Sequence, residues 1–259
     1  MSTHIQWTDE TYNPWWGCTK VSEECEKCYA ELLAARGIGI AGGPVKWGNR
    51  APRRRNSPEY LTHPLKWNAK ASRKGVRTKV FAASMADIFD NQVDPSWRAD
   101  FWDVVRQCTN LDWQILTKRP QNIIEMLPPD WGAGWPHVWL GASVGNQRRG
   151  DERIPILSSV PAAVRFLSVE PLIGPVNLDL SRMGWVIGGG ESGRDPRPME
   201  PEWIRSVRDQ CSAAGVPFFF KQWGGRKPKE AGRTLDGRTW DEFPVTPFSG
   251  NTIGREVRS

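Results

Sequence analysis

Three of the five cysteines fall within eleven residues, in the run Trp16-Gly17-Cys18-Thr19-Lys20-Val21-Ser22-Glu23-Glu24-Cys25-Glu26-Lys27-Cys28-Tyr29-Ala30. Cys25 and Cys28 are three apart, so at a helix start both thiolates face one way. Cys18 reaches them across a six-residue loop, and Gly17 eases a close backbone approach. Three thiolates suit a 4Fe–4S cluster whose fourth iron is free of protein ligands. That iron can chelate the amino and carboxylate groups of S-adenosylmethionine (SAM). Structural zinc is the competing reading, but it wants four ligands. No histidine lies between Cys18 and Cys28, and His4, fourteen residues upstream of Cys18, is the nearest candidate to complete a set. Cys108 and Cys211 stand alone in helical segments and read as small buried hydrophobes. An odd, clustered cysteine count is no disulfide framework; in a reducing compartment it signals metal or redox chemistry.

The elements that position this motif follow from periodicity. Strand patterns fall at Lys79–Ala83, Trp113–Thr117, Val138–Ala142, Val164–Val169, Trp185–Gly188 and Pro217–Lys221. A further short strand is expected around His4–Trp7, before the cysteine loop and a helix over Cys25–Arg36. Helical patterns at Pro95–Thr109, Arg119–Leu127, Asp151–Ser159 and Glu202–Ala214 alternate with the strands. Alternation of this kind marks parallel βαβ units. It predicts an α/β fold, a partial or complete parallel (β/α) barrel of six to seven units, with a doubly wound open sheet as the alternative. Residues 1–223 form the barrel-type domain, interrupted by a long basic insertion at 37–78. Residues 224–259 are a polar extension with a turn at Leu235-Asp236-Gly237-Arg238, expected to pack on the barrel or form a lid.

In parallel β/α folds the active site lies at the C-terminal strand ends, and here polar residues stand at almost every such end. Ser84 and Asp87 follow one strand, Lys118 and Arg119 the next, and Ser143 the next. Ser168 and Glu170 end Val164–Val169; Gly188, Gly189, Gly190 and Glu191 follow; Lys221 closes the set. Ser84, Asp87, Lys118, Ser143, the three glycines and Glu191 are assigned to cofactor binding, the glycines because they let backbone amides approach a ligand. Glu170 and Lys221 are assigned to the substrate side. The ordinary alternative for each is helix capping or loop initiation.

The chain of 259 residues is formally +6, but residues 46–79 alone carry eleven Lys or Arg against Glu59. Such a stretch points to a polyanionic partner, nucleic acid first, or else to a solvated loop. Trp47 and Trp67 are interleaved with Lys46, Arg50, Lys66 and Lys70, a combination that stacks bases and neutralises phosphates; alternatively, they anchor the insertion to the barrel. No stretch approaches the roughly 18–20 apolar residues of a membrane helix. The first twenty residues lack a signal-peptide apolar run, so the cytoplasm of a bacterial or phage-infected cell is the expected location.

The Cys25-x-x-Cys28-Tyr29-Ala30 ending after a first strand resembles radical SAM enzymes, particularly the spore photoproduct lyase-like branch. The usual spacing there is Cys-x3-Cys-x2-Cys, against Cys-x6-Cys-x2-Cys here. The whole chain resembles more closely a set of phage and mobile-element proteins defined by this three-cysteine motif. That pattern is carried by Trp7-Thr8-Asp9, Thr11-Tyr12-Asn13-Pro14, Thr117-Lys118-Arg119-Pro120, Ser168-Val169-Glu170-Pro171-Leu172 and Trp240-Asp241-Glu242. The resemblance implies reductive cleavage of SAM, with an electron from a flavodoxin or ferredoxin, to give a 5′-deoxyadenosyl radical that abstracts hydrogen from substrate. It also implies that SAM's polar groups lie on the earlier strands, near Ser84, Asp87 and Lys118. The superfamily's Gly-Gly-Glu follows the second strand, so Gly189-Gly190-Glu191, near the sixth, is not equated with it. Two other readings stand beside this one. A zinc- or cluster-stapled nucleic-acid-binding protein leaves the strand-end carboxylates unexplained, and a glycoside hydrolase using Glu170 and Glu191 leaves the cysteines idle.

Overall fold

The computed structural model describes residues 3, 5–38, 40, 42–227 and 230–248. Strand β1 (Glu10–Tyr12) precedes a small antiparallel ribbon that pairs β2 (Trp15–Trp16) with β3 (Arg54–Arg55). The strands β4 (Thr78–Ala82), β5 (Leu111–Thr117), β6 (Val138–Ser143), β7 (Val164–Val169), β8 (Trp185–Gly189) and β9 (Phe218–Gln222) join β1 in one seven-stranded sheet. Every neighbouring pair in it is parallel, and spatial order equals chain order. A doubly wound sheet would reverse direction at a switch point; this one never does. With β1 and β9 as its two edges, it is a half-barrel rather than a closed barrel.

The helices are α1 (Tyr29–Arg36), α2 (Pro58–Leu61), α3 (His63–Lys74), α4 (Pro95–Gln107), α5 (Ile123–Met126), α6 (Gln147–Ser159) and α7 (Pro201–Ala214). Local chemistry sets several of their ends. Asp94 caps α4 through Ser96 N, with Pro95 in the first turn, and Asn146 caps α6 through Arg149 N. Gly75 and Gly215 end α3 and α7 in the left-handed region that a side chain resists.

Alternation along the strands sorts the core into two layers. Val80, Trp113, Leu140, Leu167, Val186 and Phe218 face outward, packing against Ala71 of α3, Phe101 and Val105 of α4, Leu157 of α6 and Val207 of α7. The opposite residues, Phe81, Trp139, Phe166, Trp185, Ile187 and Phe219, form an inner aromatic layer with Trp7, to which no described helix contributes. Helices on one face only is the half-barrel arrangement. Cys108 and Cys211 lie in the outer layer, fully buried. Residues 240–242 run beside β9, with an antiparallel bridge from Phe219 to Asp241. Phe243 then stacks on Trp185, 5.3 Å between centroids, sealing the base of the concave face. Among the described residues no helix is long and apolar enough to cross a membrane.

Three sequence expectations change. The first strand is Glu10–Tyr12 rather than His4–Trp7: Trp7 fills the half-barrel interior instead of joining the ladder, and His4 lies outside the described residues. The helix after the cysteines begins at Tyr29; Cys25 ends a short 3-10 turn and Cys28 occupies the N-cap position. The supposed insertion 37–78 contains α3, an ordinary barrel helix with Ala71 buried and Trp67 packed on the core. Its exposed Lys66, Lys70, Arg73 and Lys74 hid that narrow apolar stripe.

Close packing of the inner layer gives a direct test. A Cβ on Gly141 would lie 2.4 Å from the ring of Phe166, which is fully buried. Gly141→Ala is expected to lower stability by about 1–3 kcal/mol. Urea unfolding should show a lower midpoint at unchanged slope; an unchanged midpoint would mean Phe166 has room to move.

Candidate functional site

The cysteine loop is held over the strand ends by ion pairs to its own acidic residues. Glu24 is buried and accepts from Gly145 N (2.7 Å), Ser22 Oγ (2.6 Å) and Arg153 of α6 (2.7 Å). The two charged side chains are 0% and 5% exposed, and Arg153 also donates to Ser143 O at 2.8 Å. Glu23 meets Arg149 at 2.6 Å and Asn146 Nδ2 at 2.6 Å, and the Arg149 guanidinium holds its carboxyl down to about 2. Arg197 bridges Glu191 (2.5 Å), Glu26 (3.3 Å) and the carbonyl of Glu23 (2.9 Å).

The other side of the loop is fixed by two buried arginines. Arg119 donates to Cys18 Sγ (3.4 Å), the carbonyl of Thr19 (2.8 Å) and Asp87 (3.0 Å). Arg53 donates to Thr19 Oγ1 (2.7 Å) and pairs with Asp90 at 2.7 Å, both side chains being essentially unexposed. All three loop thiols are free and half-buried. Burial pushes the Cys18 thiol up to about 11; the Asp87 carboxylate adds to this and Arg119 opposes it. Burial raises Cys28 as well. Among the described residues no three His, Cys, Asp or Glu side chains stand close enough to share a single metal ion.

The loop and strand ends enclose a cavity of about 730 Å³, within the range of small-molecule sites. Cys18, Cys25 and Cys28 line it, with Ser84, Asp87, Lys118, Ser143, Glu170, Gly190, Glu191 and Lys221. Gly188 and Gly189 do not. A Cβ on Gly188 would strike Ile204 of α7 at 2.5 Å, so this glycine serves helix packing. Gly190 is crowded by the carbonyl of Trp223, 1.9 Å from where its Cβ would sit, so chain rather than ligand approaches there.

Several polar groups at the mouth are committed within the protein. Asp87 accepts from Thr117 Oγ1 (2.8 Å), Phe89 N (2.9 Å), Lys118 N (3.2 Å) and Arg119, which makes it a holder of Arg119 rather than an open ligand. Glu191 is held by Arg197, and Ser84 Oγ pairs with Asn13 Nδ2 at 3.1 Å. Lys221 pairs with Glu170 at 2.5 Å, so these two form one unit. Among the described residues Lys118 Nζ reaches Ser143 Oγ, at 3.2 Å, and both groups line the cavity. Sequence reasoning missed the roles of Glu24, Arg119, Arg153 and Arg197. Three glutamates inside an eleven-residue cysteine loop were the available signal, since acidic residues beside thiolates demand nearby cations.

The architecture is thus a parallel half-barrel with a cysteine-lined mouth. The chain belongs to the family described as "Protein of unknown function (DUF5131)", which matches residues 2–244. No curated protein matches it. Among solved structures it is similar in fold to a spore photoproduct lyase double mutant with bound AdoMet and dinucleoside spore photoproduct, at 13% identity and a TM-score of 0.44. That similarity covers 77% of this chain and 60% of the other, so the chain spans under two thirds of that protein's length.

Removing one partner of a buried ion pair strands the other. Arg153→Met is expected to cost about 3–5 kcal/mol and to expose the cysteine loop to proteolysis. Glu24→Gln/Arg153→Met should recover part of the loss. Native stability and an intact loop in Arg153→Met would show that Glu24 needs no counter-charge.

Proposed function

We propose that this protein is a radical SAM-type iron–sulfur enzyme, with Cys18, Cys25 and Cys28 as ligands of a 4Fe–4S cluster. The observation that carries the reading is that three free thiols face the same cavity as the polar strand ends. A 4Fe–4S cluster takes one thiolate on each of three irons, which suits separate thiols along a cavity wall. When bound, such a cluster supplies the electron for reductive cleavage of SAM, received from a donor such as a flavodoxin or ferredoxin. Lys118 and Ser143 are the groups available to hold a carboxylate beside it. The Glu170–Lys221 pair, further round the mouth, is left for the substrate. Trp7 and Phe81 of the inner aromatic layer line the cavity beneath.

Charge favours an anionic substrate. Each cavity carboxylate already has a basic partner: Glu24 with Arg153, Asp87 with Arg119, Glu191 with Arg197 and Glu170 with Lys221. Arg36, Arg194, Arg226 and Lys227 line the same cavity and are exposed, which leaves the rim basic. The segment 46–79 contributes less than its composition suggests, because Arg53, Arg55, Arg77 and Lys79 are ion-paired and Arg54 is spent on the carbonyls of Gly42 and Gly43. Trp67 anchors α3, whereas Trp47 reaches the cavity wall. A nucleic acid is therefore better sought at the mouth. A non-catalytic nucleic-acid-binding protein remains the alternative.

Anaerobic reconstitution decides between them. The protein should turn brown, and with SAM and reductant it should release 5′-deoxyadenosine. Cys18→Ala, Cys25→Ala and Cys28→Ala should each lose most iron and sulfide, while Cys108→Ala and Cys211→Ala keep them. A colourless protein, or full iron in Cys18→Ala, defeats the three-ligand assignment. For single strands each phosphate contact contributes a slope of about −0.7 in log K against log salt. Arg194→Gln/Arg226→Gln should thus flatten the slope by up to roughly 1.4. A slope that responds instead to Lys66→Gln/Lys70→Gln would move the interface to α3.

A further inference from the structure

The stretch Thr117-Lys118-Arg119-Pro120 closes β5, and the function above uses only Lys118 from it. Its arginine is 4% exposed and places one guanidinium nitrogen 3.4 Å from Cys18 Sγ and 3.0 Å from Asp87. The other nitrogen donates to the carbonyl of Thr19 at 2.8 Å. Asp87 is in turn immobilised by Thr117 Oγ1, Phe89 N and Lys118 N. Neither member can turn away, and a single guanidinium nitrogen links Asp87 to Cys18. Asp90, 3.9 Å from Arg119, is matched by Arg53 at 2.7 Å, so the outer pair is already balanced.

We propose that Arg119 and Asp87 form a fixed, opposed charge pair that poises the reduction potential of the cluster held by Cys18. The inference rests on the reading of Cys18 as a cluster ligand. Cluster potentials respond to local charge, hydrogen bonds to sulfur and solvent exposure, and outer groups tune a site through its ligands. On reduction the cluster core gains one electron, from dithionite in the test below. No bond is made or broken, and negative charge on the sulfurs rises. A buried cation donating to one of those sulfurs favours the reduced state, and a buried carboxylate beside it opposes that state. Arg119 and Asp87 are positioning groups in this scheme, not catalytic residues.

Opposite signs make the test specific. The reconstituted full-length protein is titrated with dithionite under anaerobic conditions, following visible bleaching and the electron paramagnetic resonance signal of the reduced cluster. Arg119→Gln should lower the potential and Asp87→Asn raise it. Each should change the reduction equilibrium constant by roughly tenfold, about 59 mV for a one-electron couple. Asp87→Asn/Arg119→Gln should return close to the wild-type value. Should Arg119→Gln fail to take up iron, the upward shift in Asp87→Asn still carries the proposal. Potentials that stay at the wild-type value at full iron content, or that move in the same direction, overturn it: Arg119 would then only hold the loop. A wild-type protein that forms no cluster overturns the functional reading itself, and this inference with it.

Discussion

The buried pair between Glu24 and Arg153 joins residues 129 apart in sequence and fixes the cysteine loop on the barrel. Taking both charges out of water costs several kcal/mol apiece. That cost is offset only when the remaining hydrogen-bonding capacity is filled. Here Gly145 N meets one carboxylate oxygen, Ser22 Oγ the other, and the carbonyl of Ser143 accepts from the arginine. The partners belong to the loop itself, the end of β6 and helix α6, so a displaced loop would break several contacts at once. Gly145 is part of the fit, since a Cβ there would come within 2.7 Å of Glu24 Cγ. Cys25 is the next residue along the chain. Its place on the cavity wall follows from its neighbour's charge.

The same logic extends around the mouth. Arg53, Arg119, Arg149, Arg153 and Arg197 all touch the stretch from Cys18 to Glu26, three of them through carboxylates and two through Thr19 or Cys18. A loop that carries glutamates among thiols becomes strongly anionic once the thiols ionise. Arginine suits this environment because its planar fork meets a carboxylate, a carbonyl and a sulfur at fixed angles while keeping its charge when buried. The surrounding cations let a loop of this composition lie flat on the strand ends rather than swing into solvent.

Much of the scaffold was legible in the sequence, because strands such as Val164–Val169 are bounded runs of apolar residues and helices α4 and α7 carry Pro at their first turns. The convergence of Lys118, Ser143, Glu170 and Lys221 followed from the rule that parallel strands end together. What could not be read was pairing across long separations. Asp87 looks like a free ligand in sequence; only the fold brings Arg119 and Thr117 onto both of its oxygens. Gly188 looks like a ligand-approach glycine until Ile204 of α7 is seen to occupy the space. Arg53 sits in a run of three arginines that suggests a nucleic-acid surface, and it is instead buried against Asp90. In each case short-range pattern gave the residue type, and a partner sixteen or more residues away gave the role.

The two ends of the half-barrel are built for opposite purposes, and the register explains how. Along the inner face, Trp139 and Trp185 lie near the start of their strands, while Ser143, Ser168 and Lys221 lie at or near the finish. Phe243 and Trp7 close the start, giving an aromatic plug with ring centroids 4.6–6.3 Å apart. The polar strand ends of the inner face gather at the mouth, where the cysteine loop stands. The mouth thus has an apolar wall behind it and a basic rim in front. Each carboxylate facing the cavity is already paired from within the chain, while Lys118 there meets the hydroxyl of Ser143.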